Sequence, residues 1–181
     1  MSRALVVGGL GLLALLAGAR MPAAPPPAFA AGGLPAPRSL VLPIRAPVLT
    51  QGYGCTSLQL EPLDAACPGG HFHAGLDLAA AEGTAVRSAA AGAVVLARWT
   101  PDGYGLRVVV DHGRGLTTLY AHLLETAVAA GDLVSAGQAV GEVGSTGNST
   151  GPHLHFEVSL NGRSTDPEPL LAAIPSRGGN Q

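Results

Sequence analysis

In the stretch "GPHLHFEV", residues 151–158, apolar and polar residues alternate with a period of two. A strand with that period puts His153, His155 and Glu157 on one face and Leu154, Phe156 and Val158 on the other. The longer run "GLRVVVDHGRGLTTLYAHL" reads as two β-rich segments joined at Gly113-Arg114-Gly115, a short glycine loop of the kind antiparallel pairs use. "AGAVVLARW", "AVGEVG" and "LHFEVSLNGR" are further strand candidates. Glycine and proline interrupt the chain between Arg45 and Leu170 so often that few helices of three turns fit, and the only helix-like pieces are short, around Glu125–Ala129 and Glu168–Ala173. The pattern predicts an all-β domain, a barrel or sandwich of small antiparallel sheets, with no repeat at solenoid period.

The first thirty residues follow a different pattern. Arg3 precedes the unbroken apolar and glycine run "ALVVGGLGLLALLAGA", which falls short of the ~20 residues a helix needs to span a membrane and fits a secretory signal peptide. We assign residues 1–30 to that signal, ending at Ala28-Phe29-Ala30, with an earlier cleavage after Ala19 as an option. An uncleaved N-terminal anchor is the competing reading. Residues 31–43 read as a linker, 44–172 as one domain and 173–181 as a tail, so no stable membrane span is expected after processing.

A net charge of −2, no lysine and ten scattered arginines argue against nucleic acid or an anionic membrane as partner. Oligomeric state is not legible. The two cysteines, Cys55 and Cys67, suit a disulfide in an exported protein; as thiolate metal ligands they are spaced more widely than the usual C-x2-4-C.

Chemistry concentrates in the histidines. In "HFHAGLDLAAAEGTAV", His73 and Asp77 lie four apart with Gly75 between them, so the backbone can turn and bring an imidazole and a carboxylate to one point. Together with the H-x-H of "PHLHFEV", these residues offer the three ligands a catalytic zinc requires. His71 also precedes Asp77 and is an alternative to His73. His122 closes the second hairpin strand beside a tyrosine's face, and His112, at the hairpin turn, reads as structural. "GNSTG" matches G-x-S-x-G, but Pro152 and a strand follow where a nucleophile elbow needs a helix. "VAAGDLVSAGQAVGEVG" is similar to lipoyl and biotinyl carriers, yet the chain has no lysine to acylate.

The segments "HAGLDLAA", "DHGRGLTTLYAHL" and "GDLVSAGQAVGEVGSTGNSTGPHLHFEV", in that order from about Val48 to Pro169, resemble the lysostaphin-type (LytM-like) zinc metallopeptidases that cut peptide bridges in bacterial peptidoglycan. The resemblance implies that family's duplicated hybrid β-fold, Zn2+ as cofactor, peptidoglycan peptides as substrate and a secreted or cell-envelope location. Residue by residue it implies that His73, Asp77 and His155 bind zinc and that His122 and His153 are catalytic without coordinating it. On chemistry, His153 can move the proton of the attacking water, and His122 can orient that water or stabilise an oxyanion. A non-catalytic relative that binds cell wall or activates another hydrolase is the alternative; such a member is expected to have lost ligands, and this chain keeps all five positions. The sequence leaves open which peptidoglycan bond is cut.

Overall fold

A computed structural model describes residues 39–173 and 176–177. The expected signal peptide, most of the linker and most of the tail lie outside the described residues.

Fourteen short strands follow one another among the described residues. They are β1 (Val48–Gln51), β2 (Gly54–Thr56), β3 (His71–His73), β4 (Leu76–Ala79), β5 (Ala85–Arg87), β6 (Gly92–Thr100) and β7 (Gly105–Asp111), then β8 (Leu116–Ala121), β9 (Leu123–Thr126), β10 (Leu133–Val134), β11 (Ala139–Val143), β12 (His153–Leu160), β13 (Arg163–Thr165) and β14 (Ser176–Arg177). The main sheet runs β10-β6-β7-β8-β12-β4-β1-β14, with β13 also paired to β12; β5-β11-β9 and β2-β3 form two smaller sheets. Among the described residues every strand pair is antiparallel except β1 with β14.

The expected hairpin is β7–β8, with Asp111 opposite Thr117 and positive φ at Gly113, Arg114 and Gly115. The two helix-like pieces are not helices. Glu125 and Thr126 lie in β9, opposite Glu142 and Gly141 of β11, so ladder hydrogen bonds override their helix propensity. Glu168–Leu170 makes a single 3-10 turn, with the Asp166 carboxylate accepting the Glu168 N–H at 3.0 Å, and Leu171 is already extended where it bridges Leu40. No helix among the described residues is long and apolar enough to cross a membrane.

Period-two alternation gives the main sheet two unlike faces. Leu76, Leu78, Leu154, Phe156, Val158 and Tyr120 are fully buried in the core, and Leu40, in the stretch read as linker, joins them. Asp77, His153, His155 and Glu157 occupy the opposite face, where a cleft opens. Gly75 lets β4 approach β12: a Cβ at that position would lie 2.5 Å from the Phe156 carbonyl oxygen.

Candidate metal centre

Strand order assembles the site. β12 lies between β4 and β8, so His155 stands directly opposite Asp77 on one side and Ala121, the neighbour of His122, on the other. His73, at the end of β3, reaches the same point from outside the main sheet. His73 Nε2, Asp77 Oδ1 and His155 Nδ1 form a triangle with sides of 3.2, 3.0 and 3.0 Å. His71 does not join it: its Nδ1 bonds the Glu61 carbonyl oxygen at 2.7 Å.

The outer ring nitrogens set what the inner ones can do. His73 Nδ1–H donates to the Gly52 carbonyl at 2.9 Å, and His155 Nε2–H donates to Glu157 Oε1 at 3.0 Å. In the neutral rings the inner nitrogens therefore carry lone pairs, and these face each other and the Asp77 carboxylate. Three acceptors this close need a cation between them. Burial would lower the pKa of His155, but hydrogen bonds to Asp77 and Glu157 and their charges outweigh it and push the ring up to about 9. Burial likewise works against the Asp77 carboxylate, and its bonds to His155 and His73 hold it well below the usual carboxylate range.

His122 and His153 border the triangle. Strict alternation would send His122 to the core face with Tyr120. Instead His122 has a φ of 59°, which breaks the strand and turns the ring into the cleft. Its Nδ1–H donates to the Thr146 carbonyl at 2.7 Å, and burial together with the His153 and His155 rings pushes its pKa down to about 4. The His153 ring centroid is 4.8 Å from that of His122. His153 Nδ1–H donates to the Gly151 carbonyl at 2.8 Å, which leaves Nε2 facing Asp77 Oδ1 at 3.6 Å.

The cleft has a volume of 620 Å3. Cys55 and Cys67 are joined, as expected for an exported protein; what their spacing does not reveal is that the loop they close presents Leu58, Leu60, Glu61 and Pro62 to the cleft as part of its wall. That loop also braces β3, since Phe72 N–H donates to the Pro62 carbonyl at 3.0 Å. Sequence reasoning likewise passed over Tyr104, whose hydroxyl donates to Glu157 Oε1 at 2.5 Å. Alternation had placed Glu157 on the histidine face without giving it a role; for Tyr104 no local signal existed. His112 is far simpler, a buried ring bonded to the Ala91 carbonyl and Thr118.

These features define an all-β domain with a candidate metal centre of two histidines and one carboxylate on the floor of an open cleft. Residues 71–167 match peptidase family M23, and the chain belongs to that family. It is 45% identical over 105 residues to the DD-carboxypeptidase/endopeptidase Mpg of Neisseria meningitidis, an alignment covering 58% of this chain and 24% of Mpg. It is 40% identical over 141 residues to the murein hydrolase activator EnvC of Escherichia coli, covering 77% of this chain and 31% of EnvC. Among solved structures, a zinc-containing peptidase from Vibrio cholerae superposes with a TM-score of 0.61 at 32% identity, covering 76% of this chain and 41% of that one. The chain thus corresponds to about a quarter to a third of the length of these curated relatives.

Proposed function

We propose that the protein is an exported zinc metalloendopeptidase that hydrolyses peptide bonds in the cross-links or stem peptides of bacterial peptidoglycan. The observation that carries this reading is the convergence of two imidazole lone pairs and a carboxylate in an open cleft. Donors bound tetrahedrally to one zinc ion at about 2.0–2.2 Å would lie about 3.3–3.6 Å apart. The sides of 3.0 to 3.2 Å need to open by only a few tenths of an ångström to reach that separation, and His73, Asp77 and His155 are the residues that would hold the ion. Bound there, zinc supplies a Lewis acid that polarises a carbonyl and makes water acidic enough to attack near neutral pH.

The remaining chemistry falls to side chains of the cleft. His153, with Nδ1–H held by the Gly151 carbonyl, offers Nε2 to take a proton from the attacking water and return it to the leaving amine. His122 is locked in the same tautomer by Thr146, so its free nitrogen accepts hydrogen bonds. Of the two roles open to it, this favours orienting water over donating to an oxyanion. The substrate reading is supported by similarity to Mpg, named a DD-carboxypeptidase/endopeptidase, and to the peptidoglycan DD-endopeptidase ShyA of Vibrio cholerae. Export by residues 1–30 into an oxidising compartment, and a cell-envelope location, fit the Cys55–Cys67 disulfide.

Similarity to EnvC raises the second reading, a hydrolase activator. It is disfavoured by the five side chains His73, Asp77, His122, His153 and His155, all gathered around one point. The two separate in a paired measurement of bound zinc and of peptide release from purified peptidoglycan. His155→Ala should lose both. His153→Ala and His122→Ala should keep zinc near the wild-type level while cleavage falls about 10²- to 10⁴-fold, as for a lost general base. A wild-type protein that binds zinc and cell wall but releases no peptide from any peptidoglycan chemotype would establish the activator reading instead.

A further inference from the structure

Glu157 is a buried carboxylate with no Arg bonded to it among the described residues, and one of its oxygens, Oε1, accepts two hydrogen bonds. One comes from His155 Nε2 at 3.0 Å and the other from the Tyr104 hydroxyl at 2.5 Å. Tyr104 is itself pinned. The Arg107 guanidinium lies 4.8 Å from the centre of its ring, and Arg107 pairs with Asp102 at 3.0 Å. The Tyr104 carbonyl accepts the backbone N–H of His122 at 3.0 Å. Space for the carboxylate is provided by Gly75, where a Cβ would come within 3.0 Å of Glu157 Cγ.

We propose that Glu157 and Tyr104 are positioning residues for the metal centre, an inference that rests on the zinc reading above. The Glu157 carboxylate holds the proton of His155 on Nε2, so that Nδ1 faces His73 and Asp77 as a ligand, and its negative charge makes that nitrogen more basic. Tyr104 keeps the carboxylate in place through its hydroxyl and, through its carbonyl, fixes the backbone on which His122 turns into the cleft. One residue of the β6–β7 loop thereby aligns a metal ligand and a proposed catalytic histidine that approach from different strands.

The test is zinc affinity of the full chain, by competition with a chromophoric chelator, for wild type, Glu157→Gln and Tyr104→Phe, beside the unfolding midpoint of each metal-free protein. Glu157→Gln keeps the shape and an acceptor oxygen but removes the charge, and its zinc affinity should fall about 10- to 100-fold. Tyr104→Phe should lose less, a few-fold, since the carboxylate remains. Metal-free midpoints should fall modestly, because both variants weaken buried hydrogen bonds at the Glu157 carboxylate, so zinc affinity is the deciding readout. A Glu157→Gln protein with wild-type zinc affinity overturns the proposal, as does a lowered metal-free midpoint with unchanged affinity, which would make the pair mere packing. Should Glu157→Gln not fold, wild-type affinity in Tyr104→Phe overturns it equally. A wild-type chain that takes up no zinc would refute the metal reading itself, a result distinguishable from failure of the Glu157–Tyr104 pair alone.

Discussion

Replacing Cys55 and Cys67 together by alanine opens a loop whose ends are 12 residues apart in sequence. In the chain-entropy account, a loop of this length restricts the unfolded state by about 3 kcal/mol. The folded state gives little reason for that value to be offset. The loop keeps its own turns, with Asp64 N–H donating to the Gly70 carbonyl at 2.9 Å and Gly70 N–H to the Cys67 carbonyl at 2.9 Å, and it still leans on β3 through Phe72 and Pro62. At about 4 °C per kcal/mol for a domain of this size, the unfolding midpoint should drop by about 12 °C. Zinc binding should survive, because His73 is oriented by the Gly52 carbonyl, which lies before the loop begins. The assay is a thermal melt by circular dichroism on oxidised wild type and the double variant, with elemental analysis of both. A midpoint within about 2 °C of wild type would refute the reasoning, since the loop would then be closed equally well by its remaining contacts. Loss of zinc at an unchanged midpoint would refute the second half, by showing that the loop holds His73 directly.

Gly75→Ala should destabilise the protein by about 1–3 kcal/mol and weaken zinc binding at the same time, because the added methyl meets the Phe156 carbonyl and Glu157 and must push β4 away from β12; melts and zinc titration of the variant check both. His112 supplies a pH dependence distinct from the cleft. Burial pushes its pKa below the ordinary 6.5, against the pull of the Ala91 carbonyl and Asp111. The folded state thus prefers the neutral ring, and the stability this contributes is complete above pH 6.5 and is lost as pH falls through the lowered value. Between pH 7 and 5, wild type should therefore lose more stability than His112→Gln in chemical denaturation, and equal losses would contradict the assignment.

Much of the site was legible because strand geometry is local. Alternation in "PHLHFEV" places both histidines and Glu157 on one face whatever the rest of the chain does, and Leu154, Phe156 and Val158 bury the other. The glycine loop of the β7–β8 hairpin is equally local. Where local preference and pairing disagreed, pairing prevailed: Glu125–Thr126 became part of β9 because β11 offered a ladder. His122 shows the same limit in the backbone. Its left-handed φ is held by bonds to the Tyr104 carbonyl and the Thr146 carbonyl, both distant in sequence, so alternation alone aimed the ring at the wrong face.

What the sequence determined by itself is therefore the inventory: which donors exist, which share a strand face, and where the chain must turn. Only the tertiary structure decided their assembly. Asp77 and His155 are 78 residues apart and become neighbours because β4 pairs with β12 in a register that sets them opposite. The ring tautomers follow from carbonyl and carboxylate partners contributed by Gly52 and Glu157, and the Glu157 carboxylate is held in turn by Tyr104 from another loop. Such pairings depend on how the whole core closes and on which buried polar groups find partners, a balance over long-range contacts that a local pattern of residues does not encode.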